Sequence, residues 1–201
     1  MVVAGEAVDA QGGIRVCKIS ALNIRIPRFF AGACGDLAHL VDTGSSLHSV
    51  LLFSPPGVGK TTVLRDLVRE LSVPPNPRRV VIVDSRREIF DPSFMKGGTC
   101  DALVSYPKVL GMEIASRTMG AEMVICDEIG TGEEADAILD MQNCGVPLVA
   151  TAHAKSFTEL MRRPFVRRLC EHGIFDYYVL LMRSGTHMQH VVFDSNGDRV
   201  K

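Results

Sequence analysis

The chain has 201 residues, 46% hydrophobic and 22% charged, which suits one globular domain with an appendage and excludes a disordered or low-complexity chain. Lys+Arg 22 against Asp+Glu 23 leaves a formal net charge of −1, so no global field draws it to nucleic acid or to an anionic membrane. Nowhere do about 18 apolar residues run together, so no segment reads as a membrane-spanning helix.

In chain order, residues 2–8 are apolar with one charge, residues 9–13 have turn chemistry and residues 14–19 alternate, which predicts a hairpin with residues 22–26 leading away from it. Residues 31–49, rich in Gly, Ala and Ser, read as a helix-containing lead-in. Residues 50–53 are a buried strand. Val63, Leu64, Leu67, Val68 and Leu71 then recur at helical spacing, with Arg65, Asp66, Arg69 and Glu70 on the other face. The proline-rich stretch 74–77 stops that helix. Residues 80–83 form a strand, 109–119 a helix, and 123–126 a strand ending at Asp127 and Glu128. Thr131 and Glu134 have capping-box spacing and open a helix that closes at Gly145. Residues 146–151 form a strand, 156–171 a helix kinked or split at Pro164, and 177–182 and 188–193 the last two strands. Apolar strands separated by helices predict an α/β fold, with a mostly parallel sheet covered on both faces.

The six cysteines, Cys17, Cys34, Cys100, Cys126, Cys144 and Cys170, are scattered without a CxxC pair, and residues 1–10 lack the parts of a signal peptide. Both features point to a reducing cytoplasmic setting. Cys126 and Cys144, in apolar surroundings, are expected in the core. His187 and His190 form an HxxH pair, but an odd offset in a strand sends them to opposite faces, so no zinc site is expected.

The most informative residues are Ser54, Pro55, Pro56, Gly57, Val58, Gly59, Lys60, Thr61 and Thr62, between a strand and an amphipathic helix. Apart from Ser54 in place of a leading glycine, they match the phosphate-loop pattern Gly-x4-Gly-Lys-Ser/Thr (Walker A). Gly57 and Gly59 let successive amides face one anion, and the helix N-terminus adds partial positive charge. Lys60 reaches the β and γ phosphates, and the Thr61 hydroxyl is a Mg²⁺ ligand. The strand ending at Asp127 and Glu128 supplies the other half (Walker B): Asp127 holds Mg²⁺ directly or through water, and Glu128 polarises the attacking water. Asp84 and His153 end strands at the same sheet edge, and His153 or Thr151 reads as a sensor of the γ phosphate. The pattern predicts a Mg-nucleotide site, and the absence of Asn-Lys-x-Asp favours ATP over GTP.

These residues together resemble the stage III sporulation protein AA family, itself similar to the ATPases of type II and type IV secretion and pilus systems. The resemblance rests on the segment 21–26, the phosphate loop with Leu64, Arg65 and Asp66, and Val83 and Asp84 with Arg86 and Glu88. It continues through Tyr106, Pro107 and Lys108, Gly111 and Met112 with Arg117, Asp127 to Gly130, Ala150 to His153, and Arg163 with Pro164. It implies a RecA-like motor core working as a ring, a homo-oligomer of hexameric kind, peripheral at the membrane channel between mother cell and forespore. Asp84 then begins an acidic box, His153 is a histidine-box residue, and Arg25, Arg86 or Arg117 serves as a finger across a subunit boundary. Ser85 replaces the family's glutamate in the acidic box. Residues 1–30 correspond to the tail of a larger N-terminal module, and residues 31–201 to the motor domain. Three other readings stay open: an ATP-binding assembly module with little hydrolysis, a nucleotide or small-molecule kinase, and a nucleic-acid motor. The last has neither basic excess nor Trp to support it.

Overall fold

A computed structural model describes residues 2–10, 12–24, 29–93, 95, 97–185 and 187–200. Arg25 and Ile26, singled out above, lie outside the described residues.

The chain opens with a hairpin, β1 (Val2–Ala10) and β2 (Gly13–Asn23), paired antiparallel as a sheet of its own. β1 ends at Ala10 and β2 begins at Gly13, within the stretch 9–13 where the sequence predicts the turn. The lead-in contains one short helix, α1 (Leu37–Val41). The remaining elements are β3 (Val50–Ser54), α2 (Lys60–Ser72), β4 (Val80–Asp84), β5 (Cys100–Val104), α3 (Lys108–Arg117), β6 (Met123–Glu128) and α4 (Gly132–Gln142). They are followed by β7 (Leu148–His153), α5 (Phe157–Met161), α6 (Pro164–Glu171), β8 (Tyr177–Ser184) and β9 (His187–Phe193). The seven-stranded sheet runs β5-β4-β6-β7-β3-β8-β9, parallel except for the antiparallel pair β8 and β9.

The period-two alternation of the buried strands divides the core. Leu51 and Phe53 of β3, Val81 and Val83 of β4, and Val124 and Cys126 of β6 face one layer with Met112 of α3, Ile138 of α4 and Leu160 of α5. Val50 and Leu52, Val80 and Ile82, and Met123 and Ile125 face the other, with Val63, Leu64, Leu67, Val68 and Leu71 of α2. Fully apolar strands are required because both faces are covered.

Several details differ from expectation. Strand β5 was not anticipated: at the sheet edge it is only partly buried, and Asp101 interrupts any apolar run. Helix α3 starts at Lys108, capped by Pro107, and ends at Arg117 rather than spanning 109–119. Asp66 is not on a solvated face; it is fully buried, accepts the Cys34 amide at 2.9 Å and faces Arg69 at 3.6 Å. Cys126 is a core residue, but Cys144 is exposed, because it lies in the turn after α4 rather than under it. The split at Pro164 is present as the α5–α6 junction.

The sheet order β4-β6-β7-β3 brings the C-terminal ends of four parallel strands to one edge, where ligands of open α/β sheets bind. Helix α3 must pack closely on β4 to hold that edge. A Cβ on Gly111 would meet Val83 Cγ1 at 2.7 Å. Gly111→Ala gains up to about 1 kcal/mol of helix propensity but overpacks the contact by about 1–3 kcal/mol, so net destabilisation is expected. A lowered urea midpoint checks this; a raised one contradicts it.

Candidate functional site

Ser54 ends β3 fully buried, and the chain then bends through Gly57 (φ 81°) and Gly59 (φ 121°), both in the left-handed region that side chains resist. Gly59 caps α2, so Lys60 and Thr61 open its first turn. Among the described residues, no acceptor of the protein engages the amides of Gly57, Val58, Gly59, Lys60 or Thr61. A bend of free amides running into a helix N-terminus is an anion-binding nest.

Lys60 folds back over this bend. Its Nζ lies 3.4 Å from both the Ser54 carbonyl and the Ser54 hydroxyl, and donates to His153 Nδ1 at 2.8 Å. The parallel pairing of β3 with β7 sets Ser54 opposite His153, which explains the meeting. On the far side of the imidazole, Nε2 stands 3.1 Å from Glu128 Oε2, the arrangement of a tautomer carrying its proton on Nε2. Lys60, His153 and Glu128 thus form one chain of contacts from the start of α2 across the ends of β7 and β6. Arg86 Nη1 approaches the same Glu128 oxygen at 3.9 Å. Burial pulls the Lys60 pKa down to about 8, with Glu128 opposing and Arg163 reinforcing the shift.

Asp127 is buried and doubly engaged. Lys108 Nζ is 2.6 Å from Oδ1, and the Ser85 hydroxyl donates to Oδ2 at 2.9 Å. Lys108 also meets Glu134 at 3.2 Å and the carbonyl of Glu128. Burial disfavours its ammonium, but the Cys126 side chain, Asp127 and Glu134 together outweigh that, and its pKa is raised. Glu134 in turn accepts from the amides of Gly130 (2.7 Å) and Thr131 (3.2 Å), completing the capping box foreseen for α4.

Asp84 is engaged by the loop that follows it. Fully buried, it accepts the amides of Glu88, Ile89 and Phe90 at 2.8–2.9 Å and so shapes the loop after β4. Of the arginines considered as fingers, Arg86 is drawn to this chain's own Glu128, whereas Arg117 is exposed in the last turn of α3, at the opposite end of that helix from Lys108. His190 meets Asp36 at 3.0 Å. That pair lines a cavity of about 450 Å³ which borders the phosphate loop at Val58, Gly59 and Thr62, with Phe30 and Met188 on its walls.

The model of the family described as "Sporulation stage III, protein AA" matches residues 2–200. The chain belongs to this family. It is 36% identical over 208 residues to the stage III sporulation protein AA of Bacillus subtilis (strain 168), covering 98% of this chain and 67% of that protein. It is 33% identical over 162 residues to the protein SEEDLING PLASTID DEVELOPMENT 1 of Arabidopsis thaliana, covering 77% of this chain and 23% of that one. An uncharacterized protein ycf45 of Cyanidium caldarium is 31% identical over 169 residues, covering 77% and 47%. Thus the chain spans two thirds of the Bacillus relative and under half of the other two. Among solved structures, the VirB11 ATPase of the Brucella suis type IV secretion system, in complex with sulphate, superposes with TM-score 0.60 at 17% identity, over 81% of this chain and 51% of that one. The pilus retraction motor PilT with bound ADP gives 0.61 at 14%, over 92% and 57%. These likenesses establish the RecA-like P-loop fold that the family resemblance implies.

The depressed pKa of Lys60 has a direct consequence. Bound phosphates favour the ammonium, so near pH 8.5, where the free amine is largely deprotonated, nucleotide binding takes up protons; near pH 6.5 Lys60 contributes none. Calorimetry in buffers of different ionisation enthalpy is expected to show uptake at the higher pH only, and Lys60→Arg to abolish it. Uptake absent at the higher pH in the parent protein contradicts the assignment.

Proposed function

We propose that this protein is a Mg-dependent ATPase, converting ATP and water to ADP and phosphate to drive conformational change in a sporulation or secretion-like assembly. The observation that carries the reading is the bend of free amides at residues 57–61, with Lys60 joined through His153 to Glu128.

In this reading the amides and Lys60 hold the β and γ phosphates. The cavity beside Gly59 and Thr62 takes the ribose and base, walled by Phe30 and Met188. Thr61 and Asp127 offer hydroxyl and carboxylate oxygens, a donor set that suits Mg²⁺, and they are the residues that would hold it. When bound, Mg²⁺ neutralises charge on the phosphate oxygens. Glu128 accepts a proton from the water that attacks the γ phosphorus, and ADP leaves. His153 links phosphate occupancy to Glu128: phosphates that draw Lys60 away from Nδ1 change the partner of the imidazole that touches the carboxylate.

Membership of the family supports action as a homo-oligomeric ring, hexameric in kind, with membrane-channel proteins as partners and a cytoplasmic, membrane-peripheral place. Among the described residues no helix is long and apolar enough to cross a membrane. The hairpin would be the tail of a larger N-terminal module, with residues 31–201 as the motor domain.

A second reading, an ATP-binding assembly module with little turnover, is favoured by Ser85, whose hydroxyl occupies an oxygen of Asp127. Steady-state phosphate release separates the two. Turnover is expected, abolished by Lys60→Ala and slowed about 10²–10⁴-fold by Glu128→Gln with nucleotide still bound. Release no faster than that of Lys60→Ala supports the assembly module, and unimpaired Glu128→Gln removes the role given to Glu128.

A further inference from the structure

Lys108 stands where helix energetics disfavour it. It is the first residue of α3, where the macrodipole repels a cation, and its side chain is only 5% exposed. An ammonium has three donors and no acceptor. Here three acceptors surround it: Asp127 Oδ1, Glu134 Oε1 and the Glu128 carbonyl. One cation therefore fastens the last two residues of β6 to the first turn of α4. Glu134 extends the grip through the amides of Gly130 and Thr131. The Glu128 backbone is thereby held from both sides, at Asp127 and at residues 130–131, while its own carboxylate projects to His153 and Arg86.

We infer that Lys108 is a positioning residue for hydrolysis: it touches no phosphate itself but fixes the backbone from which Glu128 reaches the attacking water. The inference rests on the ATPase reading above. Without Lys108, Asp127 and Glu134 become two neighbouring carboxylates with no shared cation, and mutual repulsion pulls β6 and α4 apart at Glu128. The phosphate loop is built from β3 and α2 and is untouched. The effect therefore falls on kcat and on the Asp127 carboxylate, and spares the binding of metal-free nucleotide to the phosphate loop.

The test is Lys108→Met in the full chain. Groups that orient a reactive site from behind are commonly worth about 10–100-fold in activity. The expected result is a kcat at saturating Mg²⁺ lower by that factor, with the Kd for ADP in the absence of Mg²⁺ within about threefold of the parent. Amide hydrogen exchange is expected to quicken at Gly130 and Thr131 but not at residues 57–61. Adding Glu134→Gln, which keeps a capping acceptor while removing one repelling charge, is expected to recover part of the lost kcat. If Lys108→Met does not fold, Lys108→Gln serves, since it retains a donor for Asp127.

An unchanged kcat in a folded variant overturns the inference, as does a Kd that weakens in proportion to kcat. Exchange quickened evenly across the sheet edge would make Lys108 a general structural residue and also overturn it. Should the parent itself show no turnover, the ATPase reading fails, yet the exchange pattern still decides whether Lys108 fixes this segment.

Discussion

A row of backbone amides left without protein acceptors is the constraint around which this molecule is organised. Buried amides are nearly always paired, and leaving several free is tolerable only where water or an anion reaches them. The bend from Gly57 to Thr61 meets that condition at the sheet edge, half open to solvent and followed by a helix whose dipole adds to the field. Two left-handed glycines make the bend possible. Four parallel strands make it useful, because their ends deliver Asp84, Asp127, Glu128 and His153 to the same edge.

Two buried lysines at that edge show opposite electrostatics. Lys108 is saturated by carboxylates and a carbonyl, so its charge is satisfied within the protein and its pKa rises. Lys60 has the Ser54 oxygens, an imidazole and only a distant carboxylate, so burial dominates and its pKa falls. A cation held in a dry site without a matching anion is poised for an anionic ligand. The contrast separates the lysine proposed to bind nucleotide from the lysine inferred to hold the frame.

Much of this was legible in the sequence because it is local. The spacing of Gly57, Gly59, Lys60 and Thr61 encodes a bend and a helix start, and Val63 to Leu71 encode the buried face behind it. The apolar run into Asp127 and Glu128 encodes a buried strand with an acidic end. Contacts between distant segments were not legible. Helical periodicity placed Asp66 in solvent, because it carries no information about the Cys34 amide that Asp66 accepts. The amides that Asp84 accepts from residues 88–90 carried no signal in the sequence either. Lys108 stood out only as part of a family pattern; its role depends on Asp127 and Glu134, which lie 19 and 26 positions further along the chain. Strand β5 gave little signal because an edge strand need not be apolar throughout.

Selective recognition of a polyphosphate tail is what the bend of amides would have to achieve. Isothermal titration of the protein with Mg-ATP and, separately, with Mg-AMP measures it. ATP is expected to bind at least about 100-fold more tightly than AMP, since the amide nest and Lys60 contact only the outer phosphates. No heat with ATP, or equal affinity for AMP, would contradict the assignment of the bend as a phosphate site.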